Sequence, residues 1–111
     1  MADADMHPLE QPDAALRRRC RQIAHHLKPV VQIGDAGLND GVLAELDRAL
    51  TDHELIKVKV VGDKAARSAI ANAVTANLRS AIVQQIGGML VLLRRNPDPN
   101  PRLSNLLRFS R

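Results

Sequence analysis

A β-branched run that stops on a glycine and restarts as a helix constrains this chain more than any other feature. Val30-Val31-Gln32-Ile33 leads into Gly34-Asp35-Ala36-Gly37-Leu38. Asn39 then stands where a helix N-cap would, and Val42, Leu43, Leu46, Ala49 and Leu50 follow with a period of about 3.6 residues. The order is strand, tight Gly-x-x-Gly loop, helix: the first half of a crossover unit, which requires some parallel pairing in the sheet. Two glycines permit positive φ and keep bulky side chains out of the loop, so its N–H groups can come close to another molecule. The helix start adds a partial positive charge. Such a corner suits a phosphate. Taken alone it also reads as a βα turn that needs only its dihedrals, so the surrounding residues must decide.

Around that unit the periodicity changes in step. Asp13 is a plausible N-cap, after which Leu16, Cys20, Ile23, Ala24 and Leu27 form one apolar helix stripe. On another side of the same helix, Arg17, Arg21, His25 and Lys28 recur as a row of potentially cationic groups, which fits either a phosphate-tracking face or an ordinary solvated one. Lys28-Pro29 should end that helix, because the residue before proline is pushed out of the α region. Leu55-Ile56-Lys57-Val58-Lys59-Val60-Val61 is the clearest strand, with Ile56, Val58 and Val60 on one face and Leu55, Lys57, Lys59 and Val61 on the other. Two lysines there predict a sheet face partly open to water. Gly62-Asp63 reads as turn and cap, and Ala66, Ile70, Ala73 and Val74 as the inner side of a third helix. Ala81–Ile86 and Met89–Leu93 flank Gly87-Gly88, a two-residue hairpin signal.

The sequence therefore predicts an α/β fold, a single α-β-α-β-α-β-β domain over residues 13–95 with a four-stranded mixed sheet and helices packed on it. Residues 1–12 read as a flexible lead. Residues 96–111 read as a proline-rich spacer and a basic tail, mobile or weakly docked.

Composition narrows the function. The chain of 111 residues carries a net charge of +4, but the cations are clustered. Arg17, Arg18, Arg19, Arg21 and Lys28 precede the glycine loop, whereas the second helix is mostly acidic on its polar side. Clustered cations suit a polyanion. There is no Trp, no Tyr and one Phe, Phe109, so an RNA ligand would have to be gripped by backbone and shape rather than by stacking on a sheet. One cysteine excludes an internal disulfide, and Cys20 sits in the apolar stripe as a small hydrophobe. Asp3, Asp5 and Glu10 stand where an export signal would be basic and then apolar, so a cytoplasmic location is expected. No apolar run reaches the ~20 residues that cross a bilayer, and no membrane partner is expected. His25-His26 and His53 lack metal-ligand spacing, and the glycines match neither nucleotide-binding fingerprint, so neither a metal, a cofactor nor an enzyme is expected. His53, just before the strand, reads as a hydrogen-bonding junction residue.

Four pieces in this order carry a resemblance: Leu27-Lys28-Pro29-Val30-Val31, Gly34-Asp35-Ala36-Gly37-Leu38, Gly41-Val42 and His53-Glu54-Leu55-Ile56-Lys57-Val58-Lys59. Together they resemble the CRM domain family (chloroplast RNA splicing and ribosome maturation), and most of all its bacterial stand-alone members of the YhbY type. The resemblance runs from about Leu16 to Arg95. It implies a fold similar to the C-terminal domain of a bacterial translation initiation factor. It also implies RNA binding through the glycine loop and neighbouring cations, and association with precursors of the large ribosomal subunit. The candidate RNA-contacting residues are Gly34, Asp35, Ala36 and Gly37 with Arg17, Arg18, Arg21, His25, Lys28, Lys57, Lys59 and Arg94. The expected partner is structured, ribosomal RNA, bound by a monomer. The alternatives are an adaptor for a ribosomal or RNA-processing protein and a small phospho-ligand binder. Three departures stand out. Leu93-Arg94-Arg95 replaces a tyrosine followed by Arg-Pro, so any stacking by that ring is absent. Leu78-Arg79 replaces Thr-Gly at the end of the third helix, where Asn77 could supply a left-handed cap slightly early. Asp35 places a carboxylate beside the phosphate position.

Overall fold

The computed structural model describes residues 11–109. Of the flexible lead expected over residues 1–12, all but Gln11 and Pro12 lies outside the described residues. The elements are α1 (Ala14–Ala24), β1 (Val31–Ile33), α2 (Asp40–His53), β2 (Leu55–Val60), α3 (Lys64–Leu78), β3 (Ala81–Ile86), β4 (Met89–Leu93) and α4 (Asn105–Arg108). Three helices start on the caps that the sequence indicates. Asp13 accepts from the Leu16 N–H at 2.8 Å, Asn39 from Val42 at 2.9 Å and Asp63 from Ala66 at 2.8 Å. Each side-chain oxygen satisfies a donor that the first helical turn cannot.

The four strands lie in the order β1-β2-β4-β3. β1 runs parallel to β2, with Val31 opposite Val58 and Ile33 opposite Val60. β4 is antiparallel to both β2 and β3, so the mixed sheet is as expected. Gly87-Gly88 closes the hairpin between the Ile86–Met89 pair, and Gly87 takes φ +56, a conformation that costs a side-chain-bearing residue but not glycine.

Helices cover both faces. On one face α2 contributes Leu46 and Leu50, and α3 contributes Ala71 and Val74. They pack on Ile33, Ile56, Val58, Val60, Leu90 and Leu92. The alternation of β2 sends Leu55 the other way, where Cys20, Ile23 and Ala24 of α1 and Leu106 of α4 meet Val83, Val91 and Leu93. Each fully buried Leu or Ile contributes about 1.5–3 kcal/mol relative to exposure.

Local expectations fail in three places. α1 ends at Ala24 with His25 as its C-cap, so Lys28 lies beyond the helix. The His26 and Leu27 N–H groups take the Ile23 and Ala24 carbonyls, a tightened last turn, and the chain swings toward the sheet, where the Val30 N–H donates to the Lys57 carbonyl at 2.9 Å. On α3 it is Ala71 that is buried, while Ala66 is exposed in the first turn. The left-handed residue that closes α3 is Arg79 (φ 51, ψ 48), not Asn77, whose amide instead donates to the Ala73 carbonyl. The two N–H groups after the helix, those of Arg79 and Ser80, converge on the Thr75 carbonyl, which fixes the turn at that point.

The largest difference concerns the C-terminal segment, which is docked. Glu54 is 2 % exposed and has φ 61. Its carboxylate accepts from the Asn96 N–H and from the Ser104 hydroxyl, both at 2.6 Å. Asn105 donates to the Leu55 carbonyl at 2.7 Å, His53 Nδ1 lies 2.9 Å from the Leu103 carbonyl oxygen as a junction residue should, and Arg19 donates to the Leu106 carbonyl. A buried carboxylate is costly unless its lone pairs are taken, and the segment supplies the donors. In return the segment brings Leu106 into the core.

Candidate nucleic-acid interface

α1 covers only part of its sheet face. Beyond its C-terminal end the face opens into a groove lined by Arg21, Ala24, His25, Lys57, Gln84, Ile86, Met89 and Val91. Arg21 comes from the last turn of α1, His25 is its cap, and Lys57 reaches the same face from the middle of β2. Lys59 follows two residues on and is exposed, opposite Gln32 of β1 and Met89 of β4. Arg18 lies three residues before Arg21 and seven before His25, on the same exposed flank. None of Arg18, Arg21, His25, Lys28, Lys57 and Lys59 forms a side-chain hydrogen bond or ion pair with a described residue. Their charge is directed outward.

The glycine loop leaves the sheet at the end of β1, beside the end of β2. The Gly37 N–H donates to the Gly34 carbonyl at 2.9 Å, closing the turn, and Gly37 takes φ +71. Gly34 is different. Its φ is not positive, and an added Cβ would meet nothing within 4 Å. The fold demands glycine at one end of the loop and leaves open space at the other. Asp35 and Ala36 are exposed between them.

Two expected site residues are held elsewhere. β3 carries a bulge between Ile82 and Gln84, where the ladder with β4 is broken. The Arg17 guanidinium donates to the two carbonyls there, Ile82 at 2.8 Å and Val83 at 3.1 Å. Arg94 lies on the opposite side of the sheet, since its neighbours Leu92 and Leu90 face α2 and α3. Its guanidinium forms a 2.8 Å ion pair with Asp47 and also donates to the Asp47 and Leu78 carbonyls and the Thr51 hydroxyl. Arg17 and Arg94 thus hold elements together, while Arg21, His25 and Lys57 converge on one groove.

The same bulge explains what the sequence concealed. Strict alternation places Gln84 on the Ile82 face, but the extra residue moves it to the face of Val83, opposite Val91. One inserted residue exchanges the faces of everything after it. Gln84 and Ile86 therefore join the groove beside Met89, which the alternation of β4 already places on that face.

With this geometry in place, comparison with known families matches residues 13–94 to the CRS1 / YhbY (CRM) domain. The chain belongs to that family. A relative in Haemophilus influenzae, named "RNA-binding protein", is 49% identical over 82 residues, which is 73% of this chain and 83% of that one. A Pseudomonas aeruginosa relative named "Probable RNA-binding protein" is 48% identical over 95 residues, 85% of this chain and 91% of the other. Among solved structures, a Staphylococcus aureus protein matches with a TM-score of 0.66 and 34% identity, covering 74% of this chain and 86% of that one. The CRM match ends at Arg94, so the docked segment that Glu54 holds lies beyond it. Among the described residues no helix is long and apolar enough to cross a membrane.

Proposed function

We propose that this chain binds structured RNA, namely ribosomal RNA in precursors of the large subunit, through the groove cations and the glycine loop. The observation that carries the reading is the convergence of Arg21, His25 and Lys57 from two elements on one open groove without internal partners. The Arg21 and Lys57 charges in this cluster repel one another, and a polyanion relieves that cost. The names of the relatives support RNA as that polyanion, and the resemblance to the stand-alone bacterial members supports the ribosomal precursor. The loop adds backbone N–H groups, with Gly34 giving a phosphate room to approach. Lys59, Arg18 and Lys28 extend the same positive surface along the RNA backbone. The chain acts by binding, as a monomer, and its one thiol serves the core.

The test is the salt dependence of binding to a folded fragment of large-subunit ribosomal RNA. The logarithm of affinity should fall linearly with the logarithm of salt, by about 0.7 to 0.9 per neutralised phosphate. Replacing Arg21 and Lys57 together by glutamine should weaken binding and flatten the slope by more than one unit. An unaltered slope in a folded double variant moves the contact surface elsewhere. Co-sedimentation with precursor large subunits, rather than with mature ones alone, tests the ribosomal part.

A further inference from the structure

The groove has a floor and a rim of different chemistry. Met89 over the buried Ala24 and Val91 forms an apolar floor, Ile86 stands as an apolar wall that is 64% exposed, and Arg21, Lys57 and Gln84 make a polar rim. A surface that only tracked a phosphate backbone would need the rim and not the floor. An isoleucine so far in water on a charged face is unexplained by the packing of this chain. The hollow is about 140 Å³, less than half the ~300 Å³ at which pockets for larger ligands begin. That is room for one planar ring.

Resting on the RNA-binding reading, we infer that this groove seats a single extruded nucleotide of the structured RNA. The ring lies on Met89 against Ile86, the phosphates on either side of it meet Arg21 and Lys57, and the Gln84 amide hydrogen-bonds its edge. A side-chain amide offers both donors and an acceptor, so it can discriminate among base edges. A fully paired A-form helix cannot supply this ring, because its bases are stacked inside and its deep groove is closed to side chains. A nucleotide already unpaired in a bulge costs least to turn outward. The apolar floor takes the place of the Trp or Tyr platform that the composition denies this protein.

The experiment compares one RNA hairpin carrying a single bulged nucleotide with the same hairpin carrying an abasic residue at the bulge. Both have the same backbone charge, and the covalent difference between them is the ring. The full chain should bind the intact bulge at least ten-fold more tightly at fixed salt. Ile86→Ser, at an exposed position where folding is checked by thermal melting, should reduce that advantage to less than three-fold and leave the abasic hairpin bound as before. Gln84→Ala should level the affinities for A, C, G and U at the bulge. Equal binding of intact and abasic hairpins by the wild-type chain overturns the inference and leaves RNA binding standing. An Ile86→Ser variant that keeps the full advantage also overturns it. Binding to neither hairpin nor to the ribosomal fragment removes the RNA-binding reading itself.

Discussion

Replacing Gly34 and Gly37 by alanine in separate variants distinguishes a loop that binds from a loop that only turns. At Gly37 the added methyl meets no atom within 4 Å, so the whole cost comes from φ +71. Forcing an L-residue with a Cβ into that region costs roughly 1–2 kcal/mol. For a domain near this size, each 1 kcal/mol lowers the melting temperature by about 4 °C or somewhat more. Gly37→Ala should therefore melt roughly 4–10 °C early. At Gly34 there is neither a positive φ nor a clash. Alanine there should leave the melting temperature unchanged or raise it, by up to ~1 kcal/mol of stability, because it restricts the unfolded chain. Its methyl does, however, occupy the space through which a phosphate would reach the backbone N–H groups. Gly34→Ala should weaken binding of the ribosomal fragment by ten-fold or so, about 1.4 kcal/mol. Calorimetry and fluorescence anisotropy on the same samples measure both quantities. A Gly34→Ala variant that binds normally, beside a Gly37→Ala variant that melts early, would reduce the loop to architecture and remove it from the RNA interface.

Arg17→Gln should destabilise the fold by about 1–3 kcal/mol, since it strips the donors from two bulge carbonyls, and a denaturant titration checks this. If stability holds while RNA affinity falls, Arg17 belongs to the interface instead. Glu54→Gln should cost a similar ~1–3 kcal/mol, because an amide cannot accept from both Asn96 and Ser104; hydrogen exchange should then rise first across residues 96–109. Uniform exchange in that variant would show the segment docks without the carboxylate. Burial pushes the Cys20 thiol above its ordinary 9.0, against the pull of Arg19, Arg95 and Arg17. The thiol should resist disulfide reagents until the protein unfolds. The unfolded thiol ionises at lower pH than the folded one, so this residue's contribution to stability is complete below the unfolded value and is lost as pH rises through the folded one. Rapid labelling of the native protein at neutral pH would contradict the burial.

Near neighbours in the chain govern the part of this fold that is legible without coordinates. Asp13, Asn39 and Asp63 cap helices three residues away from the N–H groups they accept, and Gly87-Gly88 joins strands adjacent in the chain. The alternation of Leu55–Val60 assigns each residue to its face because side-chain direction in a strand follows from the local backbone. Lys57, Lys59 and the glycine loop were legible as candidates for the same reason. The family pieces add order to these signals, and they lie within the matched span of residues 13–94. The partners separated by tens of residues were another matter. Arg17 and Arg21 look alike at one helical turn's spacing, yet one is tied to a bulge 65 residues on and the other faces the groove. Only the tertiary structure decides between them, because a guanidinium goes wherever buried acceptors lack donors, and those acceptors exist only after the strands pair. The proline-rich segment read as mobile or weakly docked for the same reason. Its anchor, Glu54, sits about half a chain away, and the need to satisfy that carboxylate arises only once the α2–β2 junction is buried.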